Sequence, residues 1–223
     1  MDGRVFIISG ATGATGKLAA HTFAERGASL VLLSRDQNKL DALARDLKLP
    51  AARILTLTAE LRKSDSVRSA AEAVTVKFGR VDALIHLVGG WTGGRTIAES
   101  STDDFESMLG QHAWTTFHLF QAFGPRLAAN KWGRVIVVSS STTTRPPAKS
   151  GAYVAAKSAQ EALVLTLAEE LKESGVTANV IQVRSIDADH KGKGTTPEEL
   201  VASMLYLCSD EAQKINGARI PLF

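Results

Sequence analysis

The sequence predicts an α/β fold, in which one doubly wound parallel sheet has helices on both of its faces. Two observations lead to this prediction. Short runs rich in β-branched residues alternate with longer segments of helical periodicity, and such alternation is typical of βαβ units. The predicted strands are almost continuously apolar, as strands are when helices cover both faces of a parallel sheet. Right-handed crossovers then build a single domain over residues 1–223.

The elements follow one another in a regular order. The first strand, Val5–Ile8, leads through a glycine-rich turn into a helix that ends at about Arg26. The later apolar runs predict strands over 29–33, 53–57, 83–87, 134–138, 177–183 and 218–221. The segments of helical periodicity between them predict helices over 37–47, 64–78, 102–129, 151–173 and 197–207. The polar segments 141–150 and 187–196 are predicted to be loops.

Composition excludes several classes of protein. The apolar fraction of 44% is ordinary for a globular chain, and the basic residues behind the net charge of +3 are dispersed, so we expect no nucleic-acid partner. No apolar run approaches membrane-spanning length and no signal peptide precedes the first strand, which favours a cytoplasmic protein. With Cys208 as the only cysteine and five scattered histidines, we expect neither a disulfide nor a metal site.

The turn after the first strand has the pattern of a phosphate-binding loop. Glycines at 10, 13 and 16 allow close approach of a pyrophosphate and tight packing of the helix on the strand. The free N–H groups at the start of the helix, together with its dipole, favour a phosphate there. The strand–turn–helix context therefore predicts a Rossmann-type dinucleotide site, formed by Gly10, Thr12, Gly13, Ala14, Thr15 and Gly16.

The end of the second strand indicates which dinucleotide is bound. The ribose-contacting position about 20 residues after the turn holds Ser34 and Arg35 rather than an acidic residue. A guanidinium can pair with a 2′-phosphate through two hydrogen bonds, so NADP(H) is favoured and NAD(H) remains possible. The alternative is that Arg35 is a solvated surface charge, and the neighbouring Asp36 leaves that alternative open.

Tyr153 and Lys157 lie four residues apart in a predicted helix and so share one face. A phenol with its ordinary pKa of about 10 is a poor proton donor at neutral pH, and we expect a neighbouring ammonium to lower that pKa. Ser139–Ser141 end the fifth predicted strand, at the edge where doubly wound sheets bind ligands. The alternatives are an exposed helical pair and serines that only cap the strand.

In these features the chain resembles the short-chain dehydrogenase/reductase family over nearly its whole length. The shared motifs are Ser9-Gly10-x-x-x-Ala14-x-Gly16, Val137–Ser140 and Tyr153-Val154-Ala155-Ala156-Lys157. The resemblance implies catalytic roles for Ser140, Tyr153 and Lys157. It also implies homodimers or homotetramers that pair through the helices of 102–129 and 151–173. Further cofactor contacts are implied for Tyr153, Lys157, Glu60, Leu61, Val88, Gly89 and Ile186.

The chain also departs from the family pattern. His86-Leu87-Val88-Gly89 replaces the usual Asn-Asn-Ala-Gly, His112 stands where the family has an asparagine, and Arg184 stands where it has a glycine. We interpret His86 as a packing histidine. The segment around Trp91 and the one around His112 resemble dihydropteridine reductase, and these two residues are candidate substrate contacts, although Trp91 could equally be a packing residue in a glycine-rich turn.

Together these features predict an NADP(H)-dependent oxidoreductase that transfers hydride to a carbonyl-type small molecule, with Tyr153 as the proton donor. One alternative is a pterin reductase like dihydropteridine reductase. Another, of a different class, is a cofactor-sensing binding protein with little catalytic activity.

Overall fold

The computed structural model describes residues 1–223 and contains one parallel sheet of seven strands in the order β3-β2-β1-β4-β5-β6-β7. The strands are β1 (Val5–Ser9), β2 (Ser29–Ser34), β3 (Ile54–Thr58), β4 (Ala83–His86), β5 (Gly133–Ser140), β6 (Val176–Val183) and β7 (Arg219–Pro221). All neighbouring strands are parallel. The Rossmann-type doubly wound sheet predicted from the sequence is confirmed.

The helices connect successive strands and cover both faces of the sheet. They are α1 (Ala14–Glu25), α2 (Gln37–Leu47), α3 (Ser64–Phe78), α4 (Thr102–Leu109), α5 (Thr115–Ala128), α6 (Gly151–Leu171) and α7 (Pro197–Leu207). One apolar core lies between the sheet and α3, α5 and α6, and a second lies between the sheet and α1, α2 and α7. No helix combines the length and apolar character needed to cross a bilayer.

The predicted helix over 102–129 differs from the structure in one respect. A π-helical turn, Gly110–Trp114, separates α4 from α5 and includes His112. Periodicity in the sequence does not reveal this turn, because it lies within an otherwise continuous helical pattern. Such turns are frequent at functional sites, and here the turn places a histidine against the carboxyl edge of the sheet.

The carboxyl edge of β1 and β4 is the point where the strand order reverses. Chain connections leave these two neighbours on opposite faces and open a crevice between them. The sheet therefore places the turn after β1, the segment after β4 and the end of β5 around one cleft.

Candidate active site

A continuous cleft runs along this edge and consists of two adjoining cavities of about 400 and 620 Å³. The first holds the candidate catalytic residues and the second reaches the ends of β2 and β3. The two cavities share the walls formed by the glycine turn and by residues 87–89. All the site residues predicted from the sequence line this cleft: Gly10, Thr12, Gly13, Ala14, Thr15, Gly16, Ser34, Arg35, Glu60, Leu61, Val88, Gly89, Trp91, His112, Ser140, Tyr153, Lys157 and Ile186.

The glycine turn is packed so tightly that two of its residues have no room for a side chain. A Cβ at Gly16 would lie 2.3 Å from the carbonyl oxygen of Gly10, and Gly10 itself has φ +76°. A Cβ at Gly13 would lie at an ordinary 3.5 Å from its nearest neighbour, the Gly10 carbonyl oxygen. No side chain caps the start of α1 there. The first amides of α1 are therefore free for a bound phosphate, and the cradle fits a dinucleotide.

The second cavity presents hydroxyls and guanidiniums where a ribose contact is expected. The hydroxyls of Thr12 and Ser34 are 2.9 Å apart, and Arg35 lines the same wall. The Asp36 carboxylate is engaged elsewhere, because it accepts a hydrogen bond from the Lys39 amide at 3.1 Å and caps α2. Asp36 therefore has its partner at the start of α2.

Tyr153, Ser140 and Lys157 converge on the first cavity. Burial raises the pKa of the Tyr153 phenol above its ordinary value and outweighs the opposite effect of the nearby Ser140 hydroxyl. The lower pKa expected from the nearby ammonium was wrong, because desolvation of the phenolate outweighs the stabilising contacts. Tyr153 is therefore a neutral phenol at neutral pH in the absence of a bound ligand.

Lys157 is buried and held by two oxygen acceptors. Its Nζ donates to the carbonyl oxygen of Val138 at 2.9 Å and to Oε1 of Gln160 at 2.8 Å. Burial lowers the pKa of Lys157 to about 7, and the carboxylate of Glu161 opposes this shift only in part. The lysine therefore changes protonation near neutral pH in the absence of a bound ligand.

His112 occupies the back wall of the first cavity with a defined tautomer. Its Nε2 lies 2.9 Å from the carbonyl oxygen of Gly90, so this nitrogen must carry the proton and Nδ1 is a bare acceptor. That Nδ1 is buried with no partner in the chain. Burial and the charge of Lys157 lower the pKa of His112 to about 3, so the ring is neutral at physiological pH.

His86 is a packing histidine, as interpreted from the sequence. It is 1% exposed, and its Nδ1 lies 2.7 Å from the Ser9 hydroxyl while its Nε2 lies 3.4 Å from Oγ1 of Thr115. These contacts join the ends of β1 and β4 beneath the cleft, so the ring supports the floor of the site.

The mouth of the cleft is formed by residues after β4 and β6. The Trp91 side chain is 62% exposed, and Ile186 is 45% exposed. Arg184 also lines the first cavity. The segment after it folds on itself, because the Asp187 carboxylate accepts hydrogen bonds from the amides of Lys191 and Lys193.

Sequence reasoning missed three side chains in and beside the site. Arg62 lines the second cavity beside Glu60, and its position two residues after that predicted contact was a usable signal. Gln160 contacts Lys157, and a polar residue three positions from a lysine on a mostly apolar helix was another signal. Glu161 is 1% exposed and joins β5, β6 and β7 through Ser139, Gln182 and Arg219, which no local pattern indicates.

Comparison with known proteins agrees with this geometry. The family model for short chain dehydrogenases matches residues 4–199. D-threitol dehydrogenase of Mycolicibacterium smegmatis is 28% identical over 98% of this chain and 90% of that protein. The NADPH-dependent aldehyde reductase-like chloroplastic protein of Arabidopsis thaliana is 26% identical over 100% of this chain and 93% of its own.

A solved structure agrees over the same length. The crystal structure of a short chain dehydrogenase from Bacillus anthracis superposes with a TM-score of 0.89 at 27% identity, and covers 99% of this chain and 95% of that one. With its glycine turn, its parallel sheet and a cleft at the point where the strand order reverses, the chain belongs to the short-chain dehydrogenase/reductase family of NAD(P)-dependent oxidoreductases.

Proposed function

We propose that this chain reduces a carbonyl-type small molecule with NADP(H), or runs the reverse oxidation, and that Tyr153 is the proton donor. The observation that supports this most strongly is the convergence of Tyr153, Ser140 and Lys157 on a cavity that also contains the start of α1. When bound, the nicotinamide supplies the hydride. The residues of the chain supply the proton, the orientation and the charge.

Each of the three residues has a separate role in this proposal. Tyr153, whose side chain lines the first cavity, donates its proton to the substrate oxygen. Ser140 orients that oxygen through its hydroxyl, which the amide and hydroxyl of Thr142 hold at 3.3 and 3.0 Å. Lys157 uses the proton that its two acceptors leave free to bind the nicotinamide ribose.

The remaining cofactor contacts follow from the walls of the cleft. The amides at Gly13–Gly16 would hold the pyrophosphate, and Glu60 with Leu61 would border the adenine. Val88 and Gly89 would pack against the dinucleotide, and Ile186 would contact the nicotinamide.

NADP(H) is proposed over NAD(H) because of the charges in the second cavity. Arg35 and Arg62 both line it, and Glu60 is the only carboxylate there. A carboxylate directed at this position would repel a 2′-phosphate. The nearest one after β2, that of Asp36, instead contacts the amide and the ammonium of Lys39.

Cofactor titration tests this preference directly. We expect NADPH to bind at least tenfold more tightly than NADH, measured by nicotinamide fluorescence. The variant Arg35→Gln should lose most of this ratio. Arg45→Gln should keep it, because Arg45 is an exposed arginine on α2, the helix that follows Arg35. Tighter binding of NADH by the unmodified protein contradicts the proposed preference.

A tyrosine pair tests the proposed chemistry. Tyr153→Phe should reduce turnover by at least a hundredfold on any accepted carbonyl substrate and leave the NADPH dissociation constant within about threefold. Tyr206→Phe is the matched control, because Tyr206 is the only other tyrosine and lies exposed on α7. Equal turnover of both variants and the unmodified protein would remove Tyr153 from the mechanism.

A pterin substrate is a second candidate, and Trp91 favours it. Its indole is exposed and lines the first cavity, and an indole is a side chain that stacks on flat rings. Parallel assays with quinonoid dihydropterin and with simple ketones and aldehydes separate the two candidates. Activity confined to the pterin selects the second one.

We also propose that the chain forms homodimers or homotetramers. Phe120 and Phe123 belong to the core, but Trp114 and Phe117 are 54% and 41% exposed on the outer side of the same helical segment. Light scattering coupled to size-exclusion chromatography decides the state, and a monomer at micromolar concentration contradicts the proposal.

A further inference from the structure

Gln160 is a buried polar side chain beside the three residues of the proposed chemistry. It lies on α6, is 0% exposed, and its Oε1 accepts a hydrogen bond from Lys157 Nζ at 2.8 Å. Its Nε2 donates to Oγ1 of Thr116 at 2.8 Å and to the carbonyl oxygen of His112 at 3.4 Å. The amide therefore joins the lysine on α6 to the π-helical turn and α5.

The surrounding network determines the orientation of this amide. Thr116 donates its hydroxyl proton to the carbonyl oxygen of His112 at 2.7 Å, so its oxygen remains free to accept from Gln160. A flipped amide would place its NH₂ group against the Lys157 ammonium and its oxygen against a carbonyl oxygen. Gln160 is thus an acceptor toward the lysine and a donor toward the turn.

The Lys157 ammonium consequently has one proton left for the cleft. Two of its three protons are directed to the carbonyl oxygen of Val138 and to Gln160. Both acceptors are neutral and belong to rigid elements, β5 and α6. The remaining proton lies beside the wall of the cleft, because Lys157 and Gly89 both line the first cavity. A Cβ at Gly89 would lie only 3.9 Å from Nζ.

We propose that Gln160 is a positioning residue that holds Lys157 in place and directs its free proton into the cleft. The proposal rests on the proposed role of Lys157 in binding the nicotinamide ribose. Gln160 acts through the lysine and does not itself contact the reacting atoms.

The electrostatic consequence follows from the neutrality of the amide. Four titratable groups surround the lysine: Tyr153 and Glu161 on α6, His86 on β4, and His112 in the π-helical turn. The two histidines are neutral, and Glu161 is occupied by Arg219 of β7 at 2.6 Å. No carboxylate touches Nζ, so a carboxylate in place of the Gln160 amide should favour the charged lysine strongly.

Substitution at Gln160 tests the proposal. We expect Gln160→Glu to raise the pKa of Lys157 by at least one unit, a tenfold change in its protonation equilibrium. Gln160→Met, which removes the acceptor, should lower it. Gln121→Glu adds the same charge on the exposed side of α5 and is the matched control.

The pKa is measured by NMR on protein with ¹³C-labelled lysine, with Lys157→Met identifying the signal. The pH dependence of NADPH binding, followed by fluorescence, should shift in parallel: its alkaline limb moves upward by at least one pH unit in Gln160→Glu and not in Gln121→Glu. Thermal melts verify that each variant is folded.

A Lys157 titration that coincides in the unmodified protein and in folded Gln160→Glu overturns the proposal and leaves Gln160 as a space-filling residue. If Gln160→Met does not fold, the isosteric Gln160→Glu alone decides. Failure of every protein to bind NADPH or NADH would refute the proposed function, while the NMR titration would still test Gln160 independently.

Discussion

Substitution by alanine should mainly lower stability at Gly16 and mainly weaken cofactor binding at Gly13. Gly13 immediately precedes α1 and Gly16 lies in its first turn, and neither has a positive φ. A methyl group at Gly16 would lie 2.3 Å from the Gly10 carbonyl oxygen and 2.8 Å from two backbone atoms of Ala11. At Gly13 it would meet only one atom, at an ordinary distance of 3.5 Å.

The cost at Gly16 can be worked out from these contacts. The opposing atoms are all backbone, so no side chain can rotate away and the turn or the helix must move by more than half an ångström. Overpacking of this kind costs about 3 kcal/mol, the upper end of the usual range. For a domain of this size, that lowers Tm by roughly 6–12 °C. Gly13→Ala should stay within about 0.5 kcal/mol of the unmodified protein.

Cofactor binding should separate the two variants in the other direction. Gly13 is exposed at the uncapped start of α1, where a methyl group obstructs an approaching pyrophosphate without disturbing the fold. We expect Gly13→Ala to weaken NADPH binding by at least tenfold, about 1.4 kcal/mol.

Urea denaturation and fluorescence titration measure the two effects separately. Equal stability of the two variants would refute the packing argument. Undiminished NADPH binding by Gly13→Ala would refute the assignment of the turn to the pyrophosphate.

Three further predictions concern buried titratable side chains and the mouth of the cleft. Burial lowers the pKa of His86 and His112 from 6.5 to about 3, so between these values the unfolded state binds more protons and the free energy of unfolding decreases as the pH is lowered. Urea unfolding of His112→Asn should show a shallower decrease, by up to about 1.4 kcal/mol per pH unit, and an unchanged slope contradicts this. Glu161→Gln should lower the free energy of unfolding by about 2 kcal/mol, because it weakens a buried acceptor of several hydrogen bonds. The ion pair with the half-exposed Arg219 should contribute little to this loss. Thermal melts that coincide with those of the unmodified protein would exclude a stabilising role for the carboxylate. Trp91→Ala should leave Tm nearly unchanged, since the indole is exposed, and raise the KM for a planar substrate; an unchanged KM would place the substrate elsewhere.

The fold was predictable because its signals are local and repeated. Continuous apolar strands, helical periodicity and a glycine turn after the first strand each point to the same doubly wound sheet. The bounds of most elements agree closely with the prediction, as for α3 at Ser64–Phe78 and α7 at Pro197–Leu207. The π-helical turn around His112 was not predicted, because it lies within an otherwise continuous helical pattern.

The sequence by itself determined which residue types meet at the cleft, because the carboxyl ends of parallel strands share one edge whatever the side chains do. Only the tertiary structure decided how those groups are charged and oriented. The pKa of Tyr153 rises and that of Lys157 falls to about 7 because burial penalises each charged form, and burial depends on every element packed around the site. The Gln160 amide and the Glu161 carboxylate find their partners on other strands and helices, which spacing along one chain does not encode.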